Sequence, residues 1–460
     1  MLSEVDSAAS FDVDTTYTMC SSMIMRNGNL VANDRQARDY EQTLGDIDKA
    51  LSSEQVLHSL VQGLPQEVIE GVRRALATER RELAALLLAY QNTKKGDFAL
   101  LKEQAGNDPG AFLIAARIAR NLTQKELARK LGLKEQAIQR WEAEKYRSIA
   151  LQNYQKVAQA LGVTWRLQEA PPLTEKWGLS YDVTPADLNK VIRHARANGW
   201  FEGNITSDDN GSATLFRYIN DHVTRYGTPS LLRTGLGVIS HKDDWSVLSW
   251  KAEVTRRAEK IIEKMKARYR PIDVSWLVDL VQLSQREDGP RLAQALLLEH
   301  GIILIAEPQI AGMKIDGAAF LANDIPVIGL TLRTNTLDNF WFTLLHEVAH
   351  VILHYRTGLS AGFFDEDPSM YSDGIDAFEA EANEFAANLL IPEHIWTRSP
   401  ARIAKSSEPI EKLADKLKIH PAIIFGRIRM ERKDYSIFSN KLGRGLAQRQ
   451  LLDNAEKEDA

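Results

Sequence analysis

The stretch from Leu337 to His354, LDNFWFTLLHEVAHVILH, constrains this chain more than any other. Its apolar residues recur at helical spacing, and apolar flanks on both sides of His346-Glu347-Val348-Ala349-His350 predict a buried helix over 337–354. Burying two histidines and a glutamate without compensation is costly, so the fold has to supply a partner for them. Residues at i and i+4 share one helical face. His346 and His350 are therefore placed to grip one metal ion, with Glu347 beside it. Histidines satisfied within an ordinary core are the alternative.

A catalytic zinc site takes three protein ligands and keeps one position open for water. His354 lies one more turn along, but eight residues of helix span about 12 Å, too far for His346 and His354 to share an ion. Carboxylates on the next expected helix, 376–390, are better placed. There Glu379 and Asn383 are i and i+4 and face one way, while Glu381 lies about 200° round from Glu379. Glu379 is the expected ligand and Glu381 the second candidate. Upstream of these helices Ile302–Ile305, Gly317–Leu321 and Val327–Leu332 read as short strands, the last two flanking Asn323-Asp324. Strands beside one long helix indicate an α+β domain.

These segments resemble the ImmA/IrrE family of metallopeptidases. The resemblance rests on LLHEVAHVILH, FEAEANEFAANLLIP and IHPAIIFGRIRMER, with GAAFLANDIPVIGLTLR upstream, and covers about Gly301 to Tyr435. It implies Zn2+ held by His346, His350 and Glu379, with Glu347 as general base. Zinc would lower the pKa of its bound water to about 7 and polarise the scissile carbonyl. Glu347 would take the proton and deliver it to the departing amine. The strand Val327–Leu332 is expected to pair with an extended substrate backbone. His354, Tyr355, Tyr371 and His394 are all candidates for stabilising the tetrahedral intermediate.

The formal net charge of −5 averages over unlike parts. Residues 111–167 hold 11 Lys/Arg against 4 Asp/Glu, whereas 365–384 carry 8 acids and 357–392 hold no Lys or Arg. The acids read either as a solvated loop or as a surface that favours a basic substrate. Within the basic segment, NLTQKELARKLGLKEQAIQRWEA reads as two short helices separated by Gly132, where a tight turn needs positive φ. Thr123 and Glu126 make a capping box. Ile138 and Trp141 face inward, leaving Glu135, Gln136, Gln139 and Arg140 outward. Gln suits adenine, Arg guanine, and Glu the amino group of cytosine in a major groove. Gln124 at a helix N-terminus is suited to a backbone phosphate, with Lys134 adding charge. From Ile118 to Val163 the segment resembles the XRE/lambda-repressor-like helix-turn-helix family. Lys134 stands where that family usually has Ser or Thr before the recognition helix. Such domains usually dimerise on palindromic DNA, which implies a homodimer.

Length, at 460 residues, allows about three domains. No apolar run reaches the ~18–20 residues that span a bilayer, and MLSEVDSAAS lacks the pattern of a secretory signal. The single Cys20 permits no internal disulfide. These points favour a cytoplasmic protein without a membrane partner. The expected architecture is multidomain and mainly α. It comprises an N-terminal helical module (1–105), a helix-turn-helix in the N-terminal half (106–168), a helical connecting region (175–298), an α+β zincin-like domain (299–440) and a polar tail (441–460). Gln168–Pro172 reads as a linker, and 251–268 as a charged helix with a solvated basic face. In the N-terminal module, 65–90 reads as a long helix whose Val68, Val72, Leu76, Leu83 and Leu87 form one stripe.

Together the halves predict a DNA-binding regulator carrying a zinc endopeptidase that cuts a regulatory partner: a repressor, an antitoxin or the chain itself. The resemblance places such chains among stress-response and toxin–antitoxin regulators. The competing expectation is a non-catalytic antitoxin or repressor that uses the zincin fold to bind a protein.

Overall fold

The long helix expected over 65–90 forms as α3 (Gln66–Lys94), preceded by α1 (Asp34–Ser52) and the short α2 (Glu54–Leu60). The computed structural model describes residues 30–99, 101, 105, 108–146, 149–164, 185–201, several positions between 211 and 222, 244–359 and 368–452. Cys20, the linker Gln168–Pro172 and most of the acid-rich loop ahead of 368 lie outside them. The described chain is mostly helical, with one small sheet in its C-terminal half, as expected. It divides into two units, Met1–Ala37 with Leu86–Leu173, and Arg38–Ala85 with Thr174–Ala460. The N-terminal stretch expected as a module of its own is thus shared between them. Among the described residues no helix is long and apolar enough to cross a membrane.

In the first unit, α4 (Pro109–Ala119) begins at Asp108, whose carboxylate accepts from the amides of Gly110 and Ala111 at 2.9 and 3.1 Å. The capping box of Thr123 and Glu126 opens α5 (Gln124–Leu131), and Gly132 closes it at φ 69. That left-handed conformation costs glycine least, and it turns the chain into α6 (Glu135–Ala143). Helix α7 (Leu151–Ala160) completes the group. A buried ion pair locks α4 to α6: Arg117 donates to Glu142 at 2.5 and 2.8 Å, and its remaining donors meet Leu122 O and Ala32 O.

The second unit is organised about three strands, β1 (Ile303–Ala306), β2 (Gly317–Ala322) and β3 (Ile325–Leu330), in the order β1-β3-β2. β3 lies parallel to β1 and antiparallel to β2. Asn323 and Asp324, at φ 50 and 63, make the two-residue turn of the β2–β3 hairpin. Alternation along each strand sends side chains to opposite faces. On one face Leu304, Ala319, Ile328 and Leu330 join a core with α1–α3, α10 (Trp276–Gln282), α11 (Gly289–Glu299), α12 (Leu337–His354) and α13 (Pro368–Leu390). On the other, Ile303, Ile305, Phe320 and Val327 pack against α8 (Pro185–Ala197) and α9 (Asp244–Ile262).

Two expectations are corrected here. The helix expected over 251–268 with a solvated basic face ends at Ile262; Lys260 is exposed, but Lys251, Glu253 and Arg257 turn towards the sheet. Arg257 reaches the fully buried Glu307 at 3.0 Å, and Glu253 is buried beside Arg256 and Arg257. Lys251 lies over the Phe320 ring at 4.8 Å, and burial draws its ammonium down to about 8. The tail expected over 441–460 is also shorter. Leu442, Ala447 and Leu451 are buried in the larger core, because a short helix at Leu446–Leu451 lays its apolar side on it.

Glu307 holds this layer together. Its carboxylate accepts from Trp200 Nε1 at 2.9 Å and meets Arg257, and its carbonyl accepts from Trp250 Nε1 at 2.9 Å. Glu307→Ala would leave Trp200 Nε1 without its acceptor and take from Arg257 one of its two carboxylates, Glu253 remaining. We expect a loss of about 1–3 kcal/mol in denaturant unfolding, with Glu307→Gln costing less because its amide oxygen still accepts from Trp200.

Candidate metal centre and nucleic-acid interface

Helix α12 lies between the sheet and α13, and it buries Leu344, Leu345, Val348, Ala349, Val351 and Ile352. That burial aims the face carrying His346 and His350 at Glu379 of α13. The two Nε2 atoms stand 3.1 Å apart. Glu379 places its oxygens 3.2 Å from His346 Nε2 and 3.4 Å from His350 Nε2. Zinc bonds of about 2.0–2.1 Å in tetrahedral array set ligand atoms about 3.3–3.4 Å apart, so the trio has the spacing of a zinc site. The donor chemistry fits as well. Glu379 Oε2 is buried and meets no donor in hydrogen-bonding geometry among the described residues, an arrangement that a cation completes. Burial alone would raise the Glu379 carboxyl, but the two imidazoles outweigh it and hold it at about 2. Burial likewise opposes charge on His346, and the carboxylates of Glu379 and Glu347 overcome it, leaving its pKa above the ordinary value.

Glu347 sits on the same turn but outside the trio, and it is buried. Burial raises its pKa, partly offset by His346 and His350, which is the direction that suits a group exchanging protons near neutrality. The Ala319 amide of β2 donates to it. Gly317 leaves the room: a Cβ there would lie 2.9 Å from Glu347 Oε1 and 2.9 Å from Leu330 Cδ2. Neither contribution is marked in the sequence beyond a glycine at a strand start.

The strand that borders the site is β2, not the stretch 327–332 expected to receive a substrate. β3 is paired on both sides, so its backbone groups are consumed. The amide of Thr331 donates to Asp316 O at 2.9 Å. Alternation from that pair directs the backbone groups of Gly317, Ala319 and Leu321 to the edge of β2 that no strand pairs among the described residues, where Glu347 takes the amide of Ala319.

Of the candidates for stabilising an intermediate, His354 and Tyr355 use their polar atoms elsewhere. His354 meets His350 Nδ1 and Glu381 Oε2, each at 3.1 Å, and Tyr355 donates to Asp324 O at 3.1 Å. Glu381 therefore stands apart from the trio, as its angular position on the helix implied. His394 lies at the surface beside Glu67, 3.6 Å away, and the Tyr371 side chain is outside the described residues.

In the other unit, Ile138 and Trp141 are buried while Lys134, Gln136, Gln139 and Arg140 are exposed. Glu135 is half-buried and accepts from Gln139 Nε2 at 3.1 Å. Lys134 makes no side-chain cap, consistent with its replacing a hydroxyl residue. Gln124 donates to Glu142 at 2.8 Å. That leaves its amide oxygen for any phosphate, whereas the Thr123 and Glu126 amides are taken by the capping box. The role of Glu142, which joins Arg117, Gln124 and Tyr146, is legible only in three dimensions.

Comparison with protein families matches residues 113–167 to a helix-turn-helix domain and residues 298–425 to a peptidase family described as an IrrE N-terminal-like domain. Curated proteins and solved structures yield no match.

Burial, reinforced by the neighbouring His350, draws His354 down to about 4. A histidine with a depressed folded pKa contributes stability that is present above its unfolded value of about 6.5 and is lost as pH falls towards 4. Metal-free protein should therefore lose stability across that window, and His354→Phe should flatten that part of the profile in pH-dependent unfolding.

Proposed function

We propose that this chain, which joins a helix-turn-helix domain to an IrrE-like metallopeptidase-type domain, is a DNA-binding regulator with a zinc-dependent endopeptidase. Its cut is site-specific, in a regulatory protein: a repressor, an antitoxin or the chain itself. The observation that carries the reading is the convergence of His346, His350 and Glu379 at zinc-ligand spacing, with Glu347 buried beside them. A structural site would close its fourth position with another protein ligand, whereas among the described residues this trio has no fourth metal-binding side chain.

Bound zinc supplies an acidified water and polarisation of the scissile carbonyl. Glu347 takes a proton from the attacking water and hands it to the departing amine, and the Ala319 amide keeps its carboxylate oriented. The open edge of β2 orients an extended substrate by strand addition, with Gly317 and Leu321 offering backbone partners. In this reading Gln136, Gln139, Arg140 and Glu135 contact base edges of double-stranded operator DNA, and Lys134 and Gln124 contact phosphates. The chain acts as a homodimer on a palindromic site.

Glu347→Gln is expected to keep zinc and DNA binding while abolishing cleavage, measured by mass spectrometry of the products of neighbouring genes after incubation with zinc-loaded protein. If regulation in cells is unchanged by Glu347→Gln, the domain works as a non-catalytic binding module. His350→Ala and Glu379→Gln should lose stoichiometric zinc.

On the DNA side, Arg140→Ala should cost about 1–3 kcal/mol of sequence discrimination, while Lys134→Ala should weaken all sequences alike and lower the salt slope by about one. Equal effects of the two substitutions on operator and unrelated DNA would count against groove reading by α6.

A further inference from the structure

The face of α12 that carries His346 and His350 continues to a third imidazole. His350 turns Nε2 to the trio and Nδ1 to His354 Nδ1, 3.1 Å away. His354 turns Nε2 to Glu381 Oε2, also at 3.1 Å. The histidine is buried at 3% exposure against the Phe378 ring, whose centroid is 4.5 Å from its own, while the Glu381 side chain is 46% exposed. The line therefore runs from the interior to solvent.

Hydrogen-bond chemistry allows one consistent assignment. An ionised carboxylate only accepts, so His354 donates from Nε2. A neutral imidazole has one donor and one acceptor, so His354 Nδ1 accepts. His350 then donates from Nδ1, which leaves the lone pair of its Nε2 directed at His346 and Glu379. With the protons reversed, the lone pair of His354 Nε2 would face the Glu381 carboxylate, and a proton on His350 Nε2 would fill the position where a metal binds.

We propose that His354 and Glu381 are positioning residues for the metal site, forming a carboxylate–histidine relay that holds His350 in the Nδ1–H tautomer with Nε2 presented as ligand. The inference rests on the metal reading given above. Carboxylates commonly orient ligand histidines directly; here a second imidazole extends the reach of Glu381 from the helix surface to a ligand it does not touch. Both residues thereby have a role that does not require them to coordinate.

The experiment measures zinc affinity of the full chain by competition with a chromophoric chelator, together with imidazole 15N NMR of the metal-free protein. His354→Phe keeps the ring volume and removes the acceptor. It should weaken zinc about 10–100-fold and leave His350 in mixed tautomers. His354→Asn, whose amide oxygen stands near the former Nδ1, should recover most of the affinity. Glu381→Ala, at a half-exposed position that tolerates truncation, should weaken zinc less, and should have no further effect once His354 is Phe. Zinc affinity of His354→Phe and Glu381→Ala equal to the parent, or an Nε2–H tautomer at His350 in the parent, overturns the relay. A parent that binds zinc and loses it with His350→Ala, yet is indifferent to His354→Phe, overturns the relay alone. A parent that takes up no zinc overturns the metal reading and the relay together.

Discussion

Burial of ionisable groups on an apolar helix is the constraint on which the peptidase-like unit turns. Helix α12 supplies much of the larger core, and the same helix carries His346, Glu347, His350 and His354. Desolvation penalises each of them, so every neighbour must answer with a charge, a hydrogen bond or space. α13 answers with Glu379 and Glu381, β2 with the amide of Ala319, and Gly317 with the absence of a side chain. Placement of the sheet and of α13 is thus coupled to the chemistry of four ionisable residues on one helix.

The same device recurs elsewhere at lower chemical stakes. Arg117 with Glu142, Arg257 with Glu307, and Arg356 with Glu79 are buried pairs that join segments far apart in the chain. Net stabilisation from such pairs is small, because desolvating both charges offsets most of the attraction. Losing one partner is costly, since the other charge then stays buried alone. These pairs therefore discriminate sharply against misplaced segments. The Glu142 network does so for the scaffold under α6, the helix proposed above to read DNA.

Charge is divided along the chain by task. The basic excess of 111–167 coincides with the domain that matches helix-turn-helix proteins, and the acid-rich stretch 365–384 includes both Glu379 and Glu381. A net value of −5 conceals this, because electrostatics at a surface depends on local density within a screening length of about 8–10 Å and not on the chain total. The expected solvated face on α9 shows the opposite failure. Its cations are charged in the sequence, yet two of them lie against the buried sheet, where Glu307 and Phe320 receive them.

Everything carried by local periodicity and short-range chemistry was legible in the order of the residues. Helix α12 runs from Leu337 to His354 as its apolar spacing demands, the capping box opens α5 at Thr123, Gly132 takes the left-handed turn, and Asn323-Asp324 closes the hairpin. The pairing of His346 with His350 follows from helical geometry alone, and the angular offset of Glu379 from Glu381 accords with their meeting different histidines. Only the tertiary structure decided what depends on contacts between distant segments: that β3 is central and β2 the open edge, that Gly317 and Ala319 serve Glu347, that His354 links His350 to Glu381, and that Glu307 gathers α8 and α9. Strand order and burial are set by the packing of whole faces against one another, and no window of neighbouring residues contains that information.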